Sequence, residues 1–296
     1  MAVLAGKAAV VTGGSRGIGR AIVLRLARDG AAVVFNYAQN RDAADEVVRQ
    51  AEKAGGKVIA VQLDLAGPSA AEELLATAER QLGGLDILVN NAALHTEVVL
   101  IAQTTEADFD RVMAVNAKSV FLTMRYAARR MRDGGRIVNI STLNTVFPAP
   151  GNAPYAASKG ALEQLTLVAS RELGVRGITV NSVSPGATDT DLLNVANEPE
   201  KLAMAIGMTS LGRLGQPEDL ADVVAFLAGP DGRWLTGRTS VPTEASSSQQ
   251  GRRRCGHWLR AVERRAMRSL SVARNSVGRG QPAVASSARA RVPARR

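Results

Sequence analysis

The sequence predicts a doubly wound α/β fold on a single parallel sheet, and three observations carry that prediction. Six short apolar runs, at 8–11, 32–35, 58–61, 87–89, 137–140 and 178–183, recur along the first 183 residues. The stretches between them have helical periodicity, as in Ile18, Ile22 and Leu26 or Leu162, Leu165, Ala169 and Leu173. A glycine-rich turn joins the first run to the first helical stretch. Runs that are apolar throughout belong to strands buried on both faces, which parallel pairing with crossover helices provides. In such folds ligands bind beyond the carboxyl ends of the strands, so the residues just after each run carry the functional signal.

After the first run comes Thr12-Gly13-Gly14-Ser15-Arg16-Gly17-Ile18-Gly19. Here backbone N–H groups and the helix dipole can hold a pyrophosphate, with Gly13, Ser15, Arg16, Gly17, Ile18 and Gly19 as contacts. A tight strand-to-helix turn would explain the glycines as well. The second run ends at Asn36 and Tyr37, where a carboxylate would be expected if a ribose 2′-hydroxyl were bound. With no acid there and Arg16 and Arg41 nearby, NADP(H) is favoured over NAD(H), which stays open. Asp64 and Leu65 follow the third run, and Asp64 can accept from an adenine amino group or cap the next helix.

Tyr155 and Lys159 share one helical face at i and i+4 in Tyr-Ala-Ala-Ser-Lys. An adjacent ammonium favours the phenolate and is expected to lower the Tyr155 pKa, fitting the phenol for proton exchange with a carbonyl or alcohol oxygen. A buried Tyr beside a snorkelling Lys is the plainer reading of that pair in isolation.

Together these motifs resemble the short-chain dehydrogenase/reductase family, in particular its 3-oxoacyl-carrier-protein reductase-like members, over roughly residues 5–239. The residues in family order are the 12–19 turn, Asp64, Asn90-Asn91-Ala92-Ala93, Asn116, Tyr155 with Lys159, Pro185-Gly186, Leu211-Gly212-Arg213 and Pro217-Glu218-Asp219. The resemblance implies a Rossmann-like domain, a nicotinamide cofactor and hydride transfer at a ketone or secondary alcohol carbon. It makes Tyr155 the proton donor, with Lys159 tuning it and binding the nicotinamide ribose, and Asn116 holding a water of the proton relay. It places Asn90 and Ala92 along the cofactor, with Pro185, Gly186, Thr188 and Thr190 beside the nicotinamide and phosphates. The family's substrate-binding serine corresponds to Thr142, which keeps the hydroxyl but adds a methyl. Its neighbour Ser141 would take that role only in a shifted strand register.

The 296 residues are 46% hydrophobic and 22% charged, enough for a sizeable core. The net charge of +10 is localised: residues 240–296 hold thirteen Arg, no Lys and two Glu, while residues 1–239 carry 24 basic and 25 acidic side chains. The domain is therefore read as 1–239, followed by an Arg-rich segment expected to be disordered, with a basic amphipathic helix conceivable over 258–270. No strand is expected after Thr239, since Pro242 suits a central strand poorly. The break in composition points to a shifted reading frame near Arg238, which the gene sequence checks, and it puts the family's tetramer in doubt.

Cys255 is the only cysteine, and His95 and His257 are the only histidines, which disfavours disulfide, Cys-based metal and His-dependent hydrolase chemistry. No metal is expected. No apolar run is long enough to span a bilayer and no leader is evident, so a cytoplasmic location is expected. The partner expected is a small ketone, alcohol or acyl substrate, with neither nucleic acid nor membrane. The competing reading is a cofactor-binding but catalytically weak relative.

Overall fold

Six strands of the computed structural model, which describes residues 2–191 and 199–242, lie where the apolar runs predict them. They are β1 Ala8–Val11, β2 Ala32–Tyr37, β3 Val58–Gln62, β4 Ile87–Asn90, β5 Arg136–Ile140 and β6 Thr179–Val183. The expected amphipathic helix at 258–270 and the expected disordered tail fall outside the described residues. Helices α1 Gly17–Arg28, α2 Arg41–Lys53, α3 Ala70–Leu82, α4 Glu106–Met113, α5 Ser119–Arg130, α6 Ala153–Leu173, α7 Pro199–Met208 and α8 Pro217–Ala228 accompany them. Among the described residues no helix is long and apolar enough to cross a membrane.

A short seventh strand, β7 Thr239–Ser240, corrects the expectation that nothing strand-like follows Thr239. It pairs with β6 through main-chain groups: Gly237 N donates to Val180 O, Ser182 N to Arg238 O and Ser184 N to Ser240 O, each at 2.8 Å. Such bonds do not depend on apolar side chains, and polar residues suit an exposed sheet edge. Pro242 lies beyond the last paired residue, so its missing N–H costs the ladder nothing.

The seven strands form one parallel sheet in the order β3-β2-β1-β4-β5-β6-β7, a Rossmann-like arrangement. The chain moves outward from β1 to β3, then returns to place β4 on the other side of β1. This reversal opens a crevice at the carboxyl edge.

Successive side chains on each strand enter opposite cores. Ala9, Val11, Val33, Phe35, Val89 and Ile140 pack with Ile22 and Leu26 of α1, Val47 of α2 and Val224 of α8. Val10, Val34, Leu88, Ile137 and Val180 pack with Leu74 of α3, Met124 of α5 and Leu162 of α6. The second core also encloses a polar chain. Thr123 Oγ1 donates to Asn90 Oδ1 (2.7 Å), Asn90 Nδ2 to Asn139 Oδ1 (2.8 Å) and Asn139 Nδ2 to Thr166 Oγ1 (2.8 Å). It ties β4 and β5 to α5 and α6.

Phe35 is fully buried beneath the glycine turn, where a Cβ on Gly14 would come 2.6 Å from Phe35 Cβ. Replacing Phe35 by Ala should cost about 3–5 kcal/mol, measured as a lower urea midpoint at unchanged m-value.

Candidate active site

The glycine turn is fixed by asparagines on both sides. Asn36 Oδ1 accepts from Gly13 N at 3.0 Å while its Nδ2 donates to Leu63 O at 2.9 Å. Asn91 Nδ2 donates to Thr12 O (2.9 Å) and Gly13 O (3.0 Å), and Thr12 Oγ1 accepts from the amides of Asn91 and Ala92, both at 2.9 Å. This packing leaves no room for side chains: an added Cβ at Gly19 would sit 2.1 Å from Gly13 O. The glycines thus let the turn close on its own protein, as the strand-to-helix reading anticipates. What points to a ligand is the start of α1, where Arg16 stands at the N-cap, no side chain caps the helix and the first turn holds no acid. Uncapped amides facing the crevice suit a pyrophosphate.

The side chains of Asn36 and Asn90 are spent on the protein itself, Asn36 on the turn and Asn90 on the buried polar chain. Tyr37 is buried, and its hydroxyl near exposed Arg41 raises the guanidinium pKa further. Asp64 is exposed and accepts from Ala66 N at 2.9 Å, while Leu65 is buried. Asp64 does not cap α3, whose N-cap is Ser69. Pro185 O accepts from Leu143 N (2.9 Å), joining the segment after β6 to the turn after β5. Thr188 Oγ1 donates to Gly186 O (3.1 Å). The methyl of Thr190 lies 3.4 Å from where a Gly17 Cβ would be, closing the crevice against the glycine turn.

On the other side, α6 presents Tyr155 and Lys159 to the end of β5. The Thr142 hydroxyl lies beside the Tyr155 phenol and favours its ionised form. Ser141 turns away and donates to Glu163 Oε1 at 2.6 Å, so the substrate-facing hydroxyl belongs to Thr142. The strand register decides between the two, because neighbours on a strand point to opposite faces. Lys159 Nζ donates to Ile140 O at 2.6 Å and lies 5.8 Å from the Tyr155 ring centre.

Burial raises the Tyr155 pKa, with the Thr142 hydroxyl opposing it in part. This corrects the expectation of a lowered value: the ammonium faces a carbonyl and the ring rather than the phenol oxygen, so desolvation dominates. Burial also lowers Lys159 to about 8, against the opposing charge of Glu163.

Asn116 sits in a π-helical turn, Ala114–Lys118, between α4 and α5. Such single π turns commonly mark functional sites. Its Oδ1 accepts from Leu94 N (2.7 Å), and its Nδ2 donates to Leu94 O (2.9 Å) and Ser158 Oγ (3.1 Å). Through these bonds the side chain clamps the segment after β4 to α6.

Two residues outside the expected set join the site. The His95 ring is tilted against Tyr155 with centres 4.9 Å apart, and its Nε2 lies 2.9 Å from Asn152 Oδ1. Glu163 stands one helical turn beyond Lys159. Its sequence signal was the i, i+4, i+8 stripe of Tyr155, Lys159 and Glu163, whereas nothing local marks His95.

The chain is similar to known proteins along nearly the whole of their length. The family model described as Enoyl-(Acyl carrier protein) reductase matches residues 13–242. An uncharacterized oxidoreductase of Methylorubrum extorquens is 46% identical over 239 residues, covering 80% of this chain and 96% of its own. The angucycline C-6 ketoreductase LanV, solved with bound NADP, superposes with a TM-score of 0.77 at 44% identity, covering 81% of this chain and 95% of its own. A short chain dehydrogenase from Burkholderia cenocepacia in complex with NADP gives 0.76 at 41% identity, covering 81% and 97%. The chain belongs to the short-chain dehydrogenase/reductase family. It is an oxidoreductase of that class, acting on carbonyl or alcohol groups.

Because the folded Lys159 pKa is depressed, the buried ammonium destabilises the native state fully below about 8, and the penalty fades as pH rises toward the ordinary value of 10.5. Lys159→Met should therefore melt above wild type at neutral pH, with the gap narrowing between about pH 8 and 10. Calorimetry across that range reads it.

Proposed function

We propose that the enzyme is an NADP(H)-dependent carbonyl reductase, or a secondary alcohol dehydrogenase in the reverse direction, with Tyr155 as proton donor and acceptor. The observation that carries this reading is the meeting of the Tyr155 phenol, the Thr142 hydroxyl and the Lys159 amine where α6 packs on the end of β5, in a fold whose glycine turn leads into the uncapped start of α1. That the relatives LanV and the Burkholderia dehydrogenase were solved with NADP, and that LanV is a ketoreductase, supports it.

The crevice would take a dinucleotide. Gly13, Ser15, Arg16, Gly17, Ile18 and Gly19 would hold the pyrophosphate, and Asp64 and Leu65 the adenine edge. Asn36, Tyr37 and Arg41 would border the adenosine ribose, where the exposed guanidinium of Arg41 suits a 2′-phosphate. Asn90, Ala92, Pro185, Gly186, Thr188 and Thr190 would line the path to the nicotinamide, with Lys159 at its ribose. When bound, NADPH supplies the hydride for the carbonyl carbon.

The chain's own residues handle the oxygen. An oxygen placed between the Thr142 hydroxyl and the Tyr155 phenol accepts from both, and charge developing on it strengthens both bonds. The raised pKa keeps Tyr155 protonated at neutral pH and ready to donate. Lys159, with a pKa of about 8, is largely an ammonium there, and its field stabilises the phenolate left behind. Asn116 fixes the first turn of α6 through Ser158, whose hydroxyl donates to Tyr155 O at 2.7 Å.

Tyr155→Phe should lower kcat for ketone reduction by about a thousandfold or more, with NADPH affinity by fluorescence changed less than about threefold. Undiminished turnover in that variant would refute the assignment. Arg41→Ala should weaken NADPH about tenfold and leave NADH unchanged, as charge-assisted phosphate contacts imply; equal losses for both cofactors would place the 2′-phosphate elsewhere.

A further inference from the structure

Glu163 has no part in the hydride chemistry, yet its Oε1 gathers three hydroxyl donors. Ser141 at the end of β5 donates at 2.6 Å, Thr145 at 3.0 Å and Ser184, just after β6, at 3.1 Å. Each donor sits in a segment that forms the site. Ser141 directly precedes Thr142. Thr145 closes the 3₁₀ turn Leu143–Thr145, whose N-cap is Thr142, and its hydroxyl also lies 3.0 Å from Thr142 O, so its single proton is shared between that carbonyl and Glu163. Ser184 precedes Pro185 and Gly186. Bonds to an ionised acceptor are roughly twice as strong as neutral ones, so one carboxylate can hold both the turn after β5 and the segment after β6 to α6.

We propose that Glu163 is a positioning residue of the oxidoreductase site: its carboxylate fastens the Thr142 turn and the segment after β6 to the Tyr155–Lys159 face of α6, and its charge stabilises the Lys159 ammonium. The proposal rests on the carbonyl-reductase reading above. The two residues are i and i+4 on α6, and the Glu163 charge acts on the lysine against its burial. The other groups facing this cluster are Tyr155 on α6 and His95 tilted against it from the segment after β4. Strand β5 and its turn contribute the Ile140 carbonyl and the hydroxyls of Ser141, Thr142 and Thr145. The π turn contributes the neutral amide of Asn116, and the segment after β6 the Ser184 hydroxyl. Among these groups the carboxylate is Glu163.

Glu163→Gln preserves shape and one acceptor but removes the charge, whereas Glu163→Ala removes both. Two readouts separate the roles. In ligand-free protein, NMR of ¹³C-labelled lysine follows the Lys159 titration. With NADPH and a ketone that wild type reduces, kcat and KM are measured from about pH 6 to 9. In Glu163→Gln the lysine midpoint should fall below the wild-type value near 8. Its kcat should drop about twofold to sixfold at pH 8 with little change at pH 6, matching a shift of about half to one unit. Glu163→Ala should in addition raise KM for the ketone at every pH, as the Thr142 turn loosens. A Gln variant whose titration and pH profile superimpose on wild type overturns the electrostatic role. An Ala variant with wild-type KM overturns the fastening role; should it melt below the assay temperature, Glu163→Asp, which withdraws the carboxylate by one methylene, takes its place under the same criterion. Failure of wild type itself to reduce any ketone would defeat the carbonyl-reductase reading instead, and the lysine titration would still decide the charge role.

Discussion

The Lys159 amine is buried between α6 and the end of β5, where it donates to the main-chain carbonyl of Ile140. A charge removed from water is stable only if fixed dipoles and nearby charge replace the lost hydration. Here the replacements are a strand-end carbonyl and a carboxylate one helical turn away. This requirement fixes the height of α6 above the sheet, and with it the place of Tyr155. It also forces the turn after β5 to run so that Thr142 faces the phenol while Ser141 faces Glu163.

Asparagines perform the corresponding task around the rest of the crevice. Each can accept with its oxygen and donate with its nitrogen, and so can join two chain segments at once. Asn36 joins the glycine turn to the end of β3, Asn91 holds both Thr12 and Gly13, Asn116 clamps the segment after β4 to α6, and Asn90 with Asn139 links β4 to β5. Residues that resemble ligand contacts in sequence therefore serve first as braces. A site made of loops at strand ends needs such braces, because its backbone lacks the ladder bonds that hold the strands.

The tyrosine, the lysine and the threonine were legible because their spacing on a helix or beside a strand end is local information. The direction of the Tyr155 shift was not. Proximity to an amine suggests a lowered value, but the outcome depends on how completely neighbouring elements exclude water and on where the amine points, which i and i+4 spacing leaves undetermined. His95 was equally hidden, since its contact with Tyr155 spans sixty residues of chain. Glu163 lay on a readable stripe, but its three hydroxyl partners come from segments that meet only in the folded sheet.

The sequence by itself determined the alternation of strands and helices, the doubly wound class and the position of the glycine turn, because apolar period and glycine placement act through neighbouring residues. The tertiary structure alone decided the rest: the order of strands across the sheet, the two-residue seventh strand, the choice of Thr142 over Ser141, and the electrostatic state of the buried pair. Main-chain pairing brought Thr239 and Ser240 onto β6 despite side chains that favour no strand. Hydrogen bonding and desolvation depend on groups distant in sequence, and their balance exists only once both sheet faces are closed.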